Sequence, residues 1–238
     1  MSDIALSNGK VLSLDKLGVK KTKSLAEILD GDIVAQEHFD KVLVVLLDLS
    51  GSMLDRIDFS TGGFSPRKVD AMWKAFKIDL APKLAGWPYG VLAFQDISAH
   101  WIIYPIQDPK ALTVTKQPEA NGSTPMKRAL ETAWGWVRIN ADQARFILIT
   151  DGCPTDCTEE DLIEIVKRHS KIPIDTIGIG SLSHDQSLWS YGSFNEKLLQ
   201  TISEITGGVY SRVSDVSSII DTIVKLSPTN RPLLGPAK

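Results

Sequence analysis

The chain has 238 residues, of which 43% are hydrophobic and 23% are charged, close to the average for soluble globular proteins. This composition excludes a disordered tail, a collagen-like fibre and a coiled coil. The formal net charge of −3 disfavours nucleic acid as the main partner, because no basic field is available to hold a phosphate backbone.

The first 40 residues differ in pattern from the rest and are predicted to form an N-terminal extension, residues 1–40. Apolar residues alternate over residues 4–14 around Asn8-Gly9, a dipeptide that suits a tight hairpin turn because both residues tolerate positive φ. A short helical pattern follows around Leu25, Ile28 and Leu29.

From residue 41 onward, buried strands alternate with amphipathic helices. The continuous aliphatic run at 42–47 is typical of a central parallel strand, and a helix is predicted after Pro66. Further strands are predicted at 89–94, 101–106, 146–150, 174–179 and 209–211, and further helices at 125–137, 159–169, 195–205 and 216–226. These elements predict one domain at 41–226, followed by a tail at 227–238 that contains three prolines and lies over the surface or is mobile.

The element order predicts an α/β fold with a doubly wound, mostly parallel, Rossmann-like sheet and helices on both faces. The short connection between the strands at 89–94 and 101–106 predicts a hairpin, and therefore one antiparallel edge strand. Sheets of this kind bind ligands beyond the C-terminal ends of their strands. The segments after residues 47, 150 and 179 are therefore where functional residues are expected.

Oxygen-bearing side chains follow two of the predicted strands and precede one helix. Asp48, Ser50 and Ser52 alternate after the first central strand, Thr124 precedes the helix at 125–137, and Asp151 ends another strand. Each piece alone is also explained by a turn or a helix cap. Together they form a set of hard oxygen ligands, which suits Mg²⁺ or Mn²⁺.

The pattern Asp48-x-Ser50-x-Ser52 with Thr124 and Asp151 resembles the metal-ion-dependent adhesion site of von Willebrand factor A (vWA) domains. The strings LLDLSGSM and ITDGCPTD are similar to that family's wording, and the resemblance extends over residues 41–226. It implies that Ser50 and Ser52 ligate the ion directly and that Thr124 joins them in the ligand-ready state. By the same resemblance, Asp48 and Asp151 act through water or hydrogen bonds.

The resemblance implies a non-enzymatic, divalent-cation-dependent protein-binding module whose ion accepts an Asp or Glu side chain from a protein partner. Intracellular members of the family act as adaptors for AAA+ ATPase chaperones or in tellurium-resistance and stress-response systems, and this chain is similar to those bacterial types. Alanine at Ser50 or Asp151 should then weaken metal-dependent binding and leave the fold largely intact.

An alternative is a metal-dependent phosphatase or other hydrolase on the same kind of sheet, with Asp48 as the nucleophile. Such enzymes place a second Asp two positions later as the acid or base, and here that position is Ser50. A nucleotide-binding Rossmann protein is disfavoured because no glycine-rich phosphate-binding motif follows the first strand.

The sequence also predicts the compartment of the protein. The longest apolar run, 42–47, is far shorter than the roughly 20 residues of a membrane-spanning helix, and the N-terminal residues do not have the pattern of a secretion signal. The only cysteines are Cys153 and Cys157, so no disulfide framework is present. We therefore expect a cytoplasmic protein without a membrane partner.

Several residues near the predicted site have two interpretations. Phe59, Phe64, Trp189 and Tyr191 are either partner contacts in loops or fold back onto the domain. The two cysteines are either free thiols or a redox-sensitive disulfide, and Cys-x₃-Cys is weak evidence for zinc. Thr158 or Asp156 is expected to cap the following helix, and His169 lies too far along the chain to complete a zinc site.

Overall fold

The computed structural model describes residues 3–5, 11–13, 38–56, 66–84, 87–106, 110–180, 195–213, 221–222 and 225. The strands are β1 Asp3–Ala5, β2 Val11–Ser13, β3 Phe39–Asp48, β4 Tyr89–Gln95, β5 Ser98–Ile106, β6 Ala141–Thr150, β7 Ile174–Ile179 and β8 Tyr210–Val213. The helices are α1 Lys68–Ala75, α2 Lys110–Val114, α3 Met126–Asn140, α4 Glu159–Arg168 and α5 Glu196–Thr206. A 3₁₀ helix at Gly51–Leu54 follows β3, and α1 continues as a π-helical turn at Phe76–Leu80 and a 3₁₀ turn at Ala81–Leu84.

Six strands form a mostly parallel sheet in the order β5-β4-β3-β6-β7-β8. Only the β4–β5 pair within it is antiparallel. β3 lies between β4 and β6, so the strand order reverses next to it and its C-terminal end opens at the reversal point. The fold class predicted from the sequence is confirmed.

Both faces of the sheet are covered, because the central strand is apolar on each side. Leu43, Val45 and Leu47 of β3 pack in a core that includes side chains of α1. The alternate residues of β3 pack in a second core with side chains of α3, α4 and α5. With both layers buried, β3 reads as a continuous apolar run instead of an alternating one.

Some element boundaries differ from the sequence-based prediction. β6 begins at Ala141 and β5 at Ser98, several residues before the predicted starts, and α2 was not predicted. The first three residues of β6, Ala-Asp-Gln, are at least partly exposed and show no hydrophobic pattern, but Ala141 pairs with Phe39 and Gln143 with Lys41 of β3. Backbone pairing with β3 extends the strand where the hydrophobic pattern gives no signal.

The chain divides into two units, Met1–His38 and Phe39–Lys238. In the first unit β1 and β2 pair antiparallel, with Ile4 opposite Leu12, which agrees with the predicted hairpin. Its turn at Asn8-Gly9 lies outside the described residues. So do the helical pattern at 25–29, the loop aromatics, the tail and most of the predicted helix at 216–226. The predicted domain limits at 40 and 226 stay predictions.

None of the helices in the described part of the chain is long and apolar enough to span a membrane.

Candidate metal centre

Four of the five predicted site residues form one hydrogen-bonded group at the C-terminal edge of the sheet. Asp48 at the end of β3 accepts a hydrogen bond from the Ser50 backbone N–H at 2.7 Å. Ser50 Oγ lies 3.1 Å from Ser52 Oγ, and Ser52 Oγ donates to Asp151 Oδ1 at 2.7 Å. Residues 99 positions apart in the sequence are therefore in direct contact.

Thr124 lies beside this group but reaches it from a different loop. Its side chain is buried, and its backbone N–H donates to Thr155 Oγ1 at 3.0 Å. A Cβ placed on Gly152 would lie 3.1 Å from Thr124 Oγ1 and 3.9 Å from Asp48 Oδ2. Gly152 therefore leaves open a small space that the Thr124 hydroxyl and the Asp48 carboxylate share.

Backbone hydrogen bonds hold the Thr124 loop against the loop after β3. The Gly51 N–H donates to the Gly122 carbonyl at 2.9 Å, and the Asn121 N–H donates to the Leu49 carbonyl at 2.7 Å. Gly122 has a φ of +69°, and a Cβ there would lie 2.2 Å from Asp96 Oδ1. Only glycine fits this position, because the conformation and the close neighbour both exclude a side chain.

Asp96 also helps to hold this loop. It has a φ of 56° in the β4–β5 turn. Its backbone N–H donates to the Ser123 carbonyl at 3.0 Å, and Ser123 Oγ donates to the Asp96 carbonyl at 2.6 Å. Three separate loops are therefore joined at one edge of the sheet.

The two carboxylates of the group are almost completely removed from solvent. Asp48 is 0% exposed and Asp151 is 1% exposed. Burial and the neighbouring Asp151 raise the pKa of Asp48 to about 7, although hydrogen bonds from Thr150 and Ser50 oppose this shift. Thr150 Oγ1 donates to Asp48 Oδ2 at 2.5 Å. A buried carboxylate of raised pKa is the kind of group that a divalent cation stabilises in its ionised form.

Lys68 is a member of this group that the sequence analysis missed. Its side chain is 1% exposed, and its ammonium donates to Asp151 Oδ2 at 2.6 Å. The signal for it was available: Lys68 precedes Met72, Phe76 and Leu80 at intervals of four residues. On a helix that spacing places the lysine in line with the apolar stripe, and a lysine at such a position needs a buried partner.

The donor set matches a hard divalent cation. Among the described residues, no group of three or more His, Cys, Asp or Glu side chains could hold a metal ion. A metal at this edge would therefore depend on the hydroxyl oxygens of Ser50, Ser52 and Thr124 beside the two carboxylates. Hydroxyl and carboxylate oxygens suit Mg²⁺ or Mn²⁺, and the space that Gly152 leaves open is next to both kinds of oxygen.

The cysteines after Asp151 are free thiols, and Cys153 is exposed. Burial raises the pKa of Cys157 to about 11, and partial desolvation of the thiol raises the pKa of Cys153 although the residue as a whole is exposed. Both thiols are therefore protonated at neutral pH and are poor nucleophiles or zinc ligands in this state. His169 stacks on Trp134 with ring centroids 4.2 Å apart, which gives it a packing role.

The acids and hydroxyl after Cys153 act as helix caps. Thr158 accepts from the Asp161 N–H at 3.1 Å and so caps α4, as predicted. Asp156 has a different partner: it accepts from the Lys127 and Arg128 N–H groups at 3.2 and 2.9 Å at the start of α3. The loop after β6 therefore supports the helix that follows Thr124.

A family model described as the von Willebrand factor type A domain matches residues 107–212. Among solved structures, the chain is similar to the SpRpn10 VWA domain, with a TM-score of 0.61 and 16% identity over 82% of this chain and 99% of that chain. It is similar to a von Willebrand factor type A protein from Catenulispora acidiphila, with a TM-score of 0.57 and 20% identity over 81% and 43% of the two chains. The ArnB paralog VWA2 from Sulfolobus acidocaldarius gives a TM-score of 0.53 and 17% identity over 79% and 45%.

The chain thus spans less than half the length of the last two proteins. No curated protein matches it in sequence. At these identities the structural likeness shows the fold alone.

Proposed function

We propose that this chain, which has the fold of a von Willebrand factor type A domain, is a protein-binding module that depends on a divalent cation. The observation that supports this most directly is the hydrogen-bonded group of Asp48, Ser50, Ser52 and Asp151, with Thr124 beside it. Domains of this family are often protein-interaction modules, and the candidate centre lies at the edge where doubly wound sheets bind ligands.

The hydrogen bonds support an assignment of which site residues contact the cation directly. The two oxygens of Asp48 accept from Ser50 and Thr150, and those of Asp151 accept from Ser52 and Lys68. Because both carboxylates already have partners, we assign the direct contacts with Mg²⁺ or Mn²⁺ to the hydroxyls of Ser50, Ser52 and Thr124.

This division explains why the partner should be acidic. Neutral hydroxyl ligands leave the charge of a bound cation largely uncompensated at close range, whereas the carboxylates compensate it from farther away. When bound, the cation supplies a positive centre that accepts a carboxylate oxygen. An Asp or Glu side chain from a protein partner fits this requirement.

We further propose that the chain acts as a cytoplasmic adaptor in a stress-response or chaperone-type assembly, of the kind associated with tellurium resistance or with AAA+ ATPases. This assignment rests on the resemblance of the segments at 46–53 and 149–156 to those intracellular proteins. It concerns the context of the module, and it is independent of the chemistry of the site.

The hydrolase alternative gains no support from the site. Asp48 is fully buried and its two oxygens accept hydrogen bonds, so it is not presented as a nucleophile. Ser50 stands where an acid or base would be needed, and its hydroxyl cannot take that role at neutral pH. We therefore propose no catalytic residue.

The first test is the effect of Ser50→Ala on cation and partner binding. Millimolar Mg²⁺ should raise the Tm of the wild-type protein, by an amount equivalent to about 2.7 kcal/mol at 100 times the Kd. Ser50→Ala should gain much less, because it lacks one proposed ligand. In a pull-down, partner capture by the wild type should be lost with EDTA and return with Mg²⁺, whereas Ser50→Ala should capture little under either condition.

Ser170→Ala provides the matched control for this test. Ser170 lies between α4 and β7, near the N-terminal edge of the sheet, so its loss should change neither readout. If Mg²⁺ and Mn²⁺ leave the Tm of the wild type unchanged at millimolar concentration, the proposed function is wrong.

Asp48→Asn should separate stability from cation binding. The folded protein retains a proton on Asp48 up to pH 7, whereas the unfolded chain releases it near pH 4. The metal-free wild type should therefore lose about 2–3 kcal/mol of unfolding free energy from this group between pH 5 and pH 7. Asp48→Asn has no charge to bury, so it should lack this decline and show little response to Mg²⁺.

Urea denaturation of both proteins at pH 5, 6, 7 and 8, with EDTA or with Mg²⁺, measures this difference. Mg²⁺ should reduce the decline in the wild type, because the cation favours the ionised carboxylate. Parallel pH profiles for wild type and Asp48→Asn in EDTA would contradict the prediction.

A further inference from the structure

Lys68 is a buried cation inside the candidate centre. Its ammonium lies 2.6 Å from Asp151 Oδ2 and 3.4 Å from the carbonyl oxygen of Ser52, and both residues belong to the proposed cation site. The side chains of Lys68 and Asp151 are 1% and 0% exposed. Water therefore screens this charge less than it would screen a charge at the surface, and the ammonium acts on the site more strongly than an exposed lysine would.

We propose that Lys68 is a tethered counter-ion of the candidate centre, which weakens its affinity for a free divalent cation. This inference rests on the proposed function, since it assumes that Mg²⁺ or Mn²⁺ binds here. In the metal-free protein the ammonium supplies the positive charge that Asp151 needs. An incoming dication must then share this carboxylate with a positive charge that is already in place.

The charges of the site support this role. Asp48 and Asp151 together carry a formal charge of −2 when both are ionised, and Lys68 reduces the charge of the group to −1. A dication therefore meets half the opposing charge that the two aspartates alone would present, together with repulsion from the ammonium. Both effects lower its affinity, and burial increases both.

The position of Lys68 at the start of α1 limits how far the residue can move away from Asp151. It is the first residue of α1, and its backbone N–H donates to the Asp55 carbonyl at 2.9 Å. The neighbouring Arg67 carries an equal charge, but its side chain is 51% exposed and pairs with Asp70. Unlike Arg67, Lys68 therefore combines an anchored backbone with a charge that is shielded from solvent.

A weak site for the free ion has a functional consequence. The carboxylate of an acidic partner would supply the negative charge that Lys68 cancels, so cation and partner should each bind better in the presence of the other. The lysine would thereby favour the ternary complex over a site that is permanently loaded with metal.

The test is a titration of the full chain with Mn²⁺ alone, followed by calorimetry or by electron paramagnetic resonance of free Mn²⁺. Lys68→Gln removes the charge but keeps a hydrogen-bond donor near Asp151, and we expect it to bind Mn²⁺ about tenfold more tightly or better. Lys68→Arg keeps the charge and should stay close to the wild-type affinity. Lys74→Gln, which removes an exposed charge from the same helix, should match the wild type.

The outcomes distinguish this inference from the proposed function. If the wild type binds Mn²⁺ and Lys68→Gln binds it equally or more weakly, Lys68 only orients Asp151, and the inference is overturned while the proposed function stands. If neither protein binds Mn²⁺ at millimolar concentration, both proposals are wrong.

A measurement on the wild type keeps the inference testable if Lys68→Gln does not fold. The side-chain ammonium resonance of Lys68, identified in ¹⁵N-lysine-labelled protein by its absence from Lys68→Arg, should shift or exchange faster when Mg²⁺ is added. A thermal shift with Mg²⁺ and an unchanged Lys68 resonance would show that cation and ammonium do not compete, and would overturn the inference.

Discussion

Asp151→Ala is expected to lower the unfolding free energy of the metal-free protein by about 3–5 kcal/mol and to abolish its stabilisation by Mg²⁺. The substitution leaves the Lys68 ammonium buried without its carboxylate, and it removes the acceptor of the Ser52 hydroxyl. The sequence alone predicts that alanine at this position leaves the fold largely intact. The buried lysine leads us to expect a larger loss of stability, because an uncompensated internal charge destabilises a protein strongly.

Urea denaturation in EDTA measures the loss, and a double variant identifies its cause. Asp151→Ala combined with Lys68→Met removes both charges, so it should recover most of the lost stability without recovering the response to Mg²⁺. An unfolding free energy of Asp151→Ala within about 1 kcal/mol of the wild type would contradict the buried ion pair.

Asp175→Ala is expected to destabilise the protein by a similar 3–5 kcal/mol but to leave the Mg²⁺ response in place. Asp175 accepts two hydrogen bonds from Arg145, one from Nε at 2.5 Å and one from Nη2 at 2.6 Å. It accepts a third from the Val209 N–H at 2.8 Å. Arg145 is 4% exposed and Asp175 is 0% exposed. Loss of the carboxylate therefore leaves the buried Arg145 guanidinium, which links β6 to β7, without this partner.

The Arg145–Asp175 pair tests whether the loss of stability can be separated from the loss of the Mg²⁺ response. Asp175 is the second residue of β7, so it lies near the strand's N-terminal end, away from the candidate centre. Glu164→Ala, which breaks the exposed ion pair with Arg168 on α4, should leave stability almost unchanged and serves as the control. The scan must start at a temperature at which Asp175→Ala is folded. Loss of the Mg²⁺-induced Tm shift in such a scan would contradict the assignment.

The fold was predictable because its signals are local. The aliphatic run in β3 shows a strand buried on both faces, and the alternation of such runs with helical patterns implies a doubly wound sheet. The strand boundaries were harder to predict where backbone pairing, and not a hydrophobic pattern, defines the strand. Ala141 and Gln143 belong to β6 because they face residues of β3, and no property of their own side chains indicates a strand.

The site residues were named from the sequence because of their type and position at the ends of predicted elements. Their proximity is a property of the sheet: parallel strands end at the same edge, and this brings Ser52 to Asp151. Gly122 and Asp96 had no comparable signal, since the need for a left-handed glycine arises only when two distant loops meet. Metal ligation by the five predicted site residues stays a proposal.

By itself, the sequence determined the α/β order of elements and placed five oxygen-bearing residues at the ligand-binding edge, because periodicity and residue chemistry are written in neighbouring positions. The tertiary structure alone decided which charges meet. Lys68 and Asp151 are 83 residues apart, and they pair only because the fold brings the start of α1 next to the residue that follows β6. Burial then strengthens their attraction, so whether Asp151 supports the fold as well as the site depends on a contact that exists only in the folded chain.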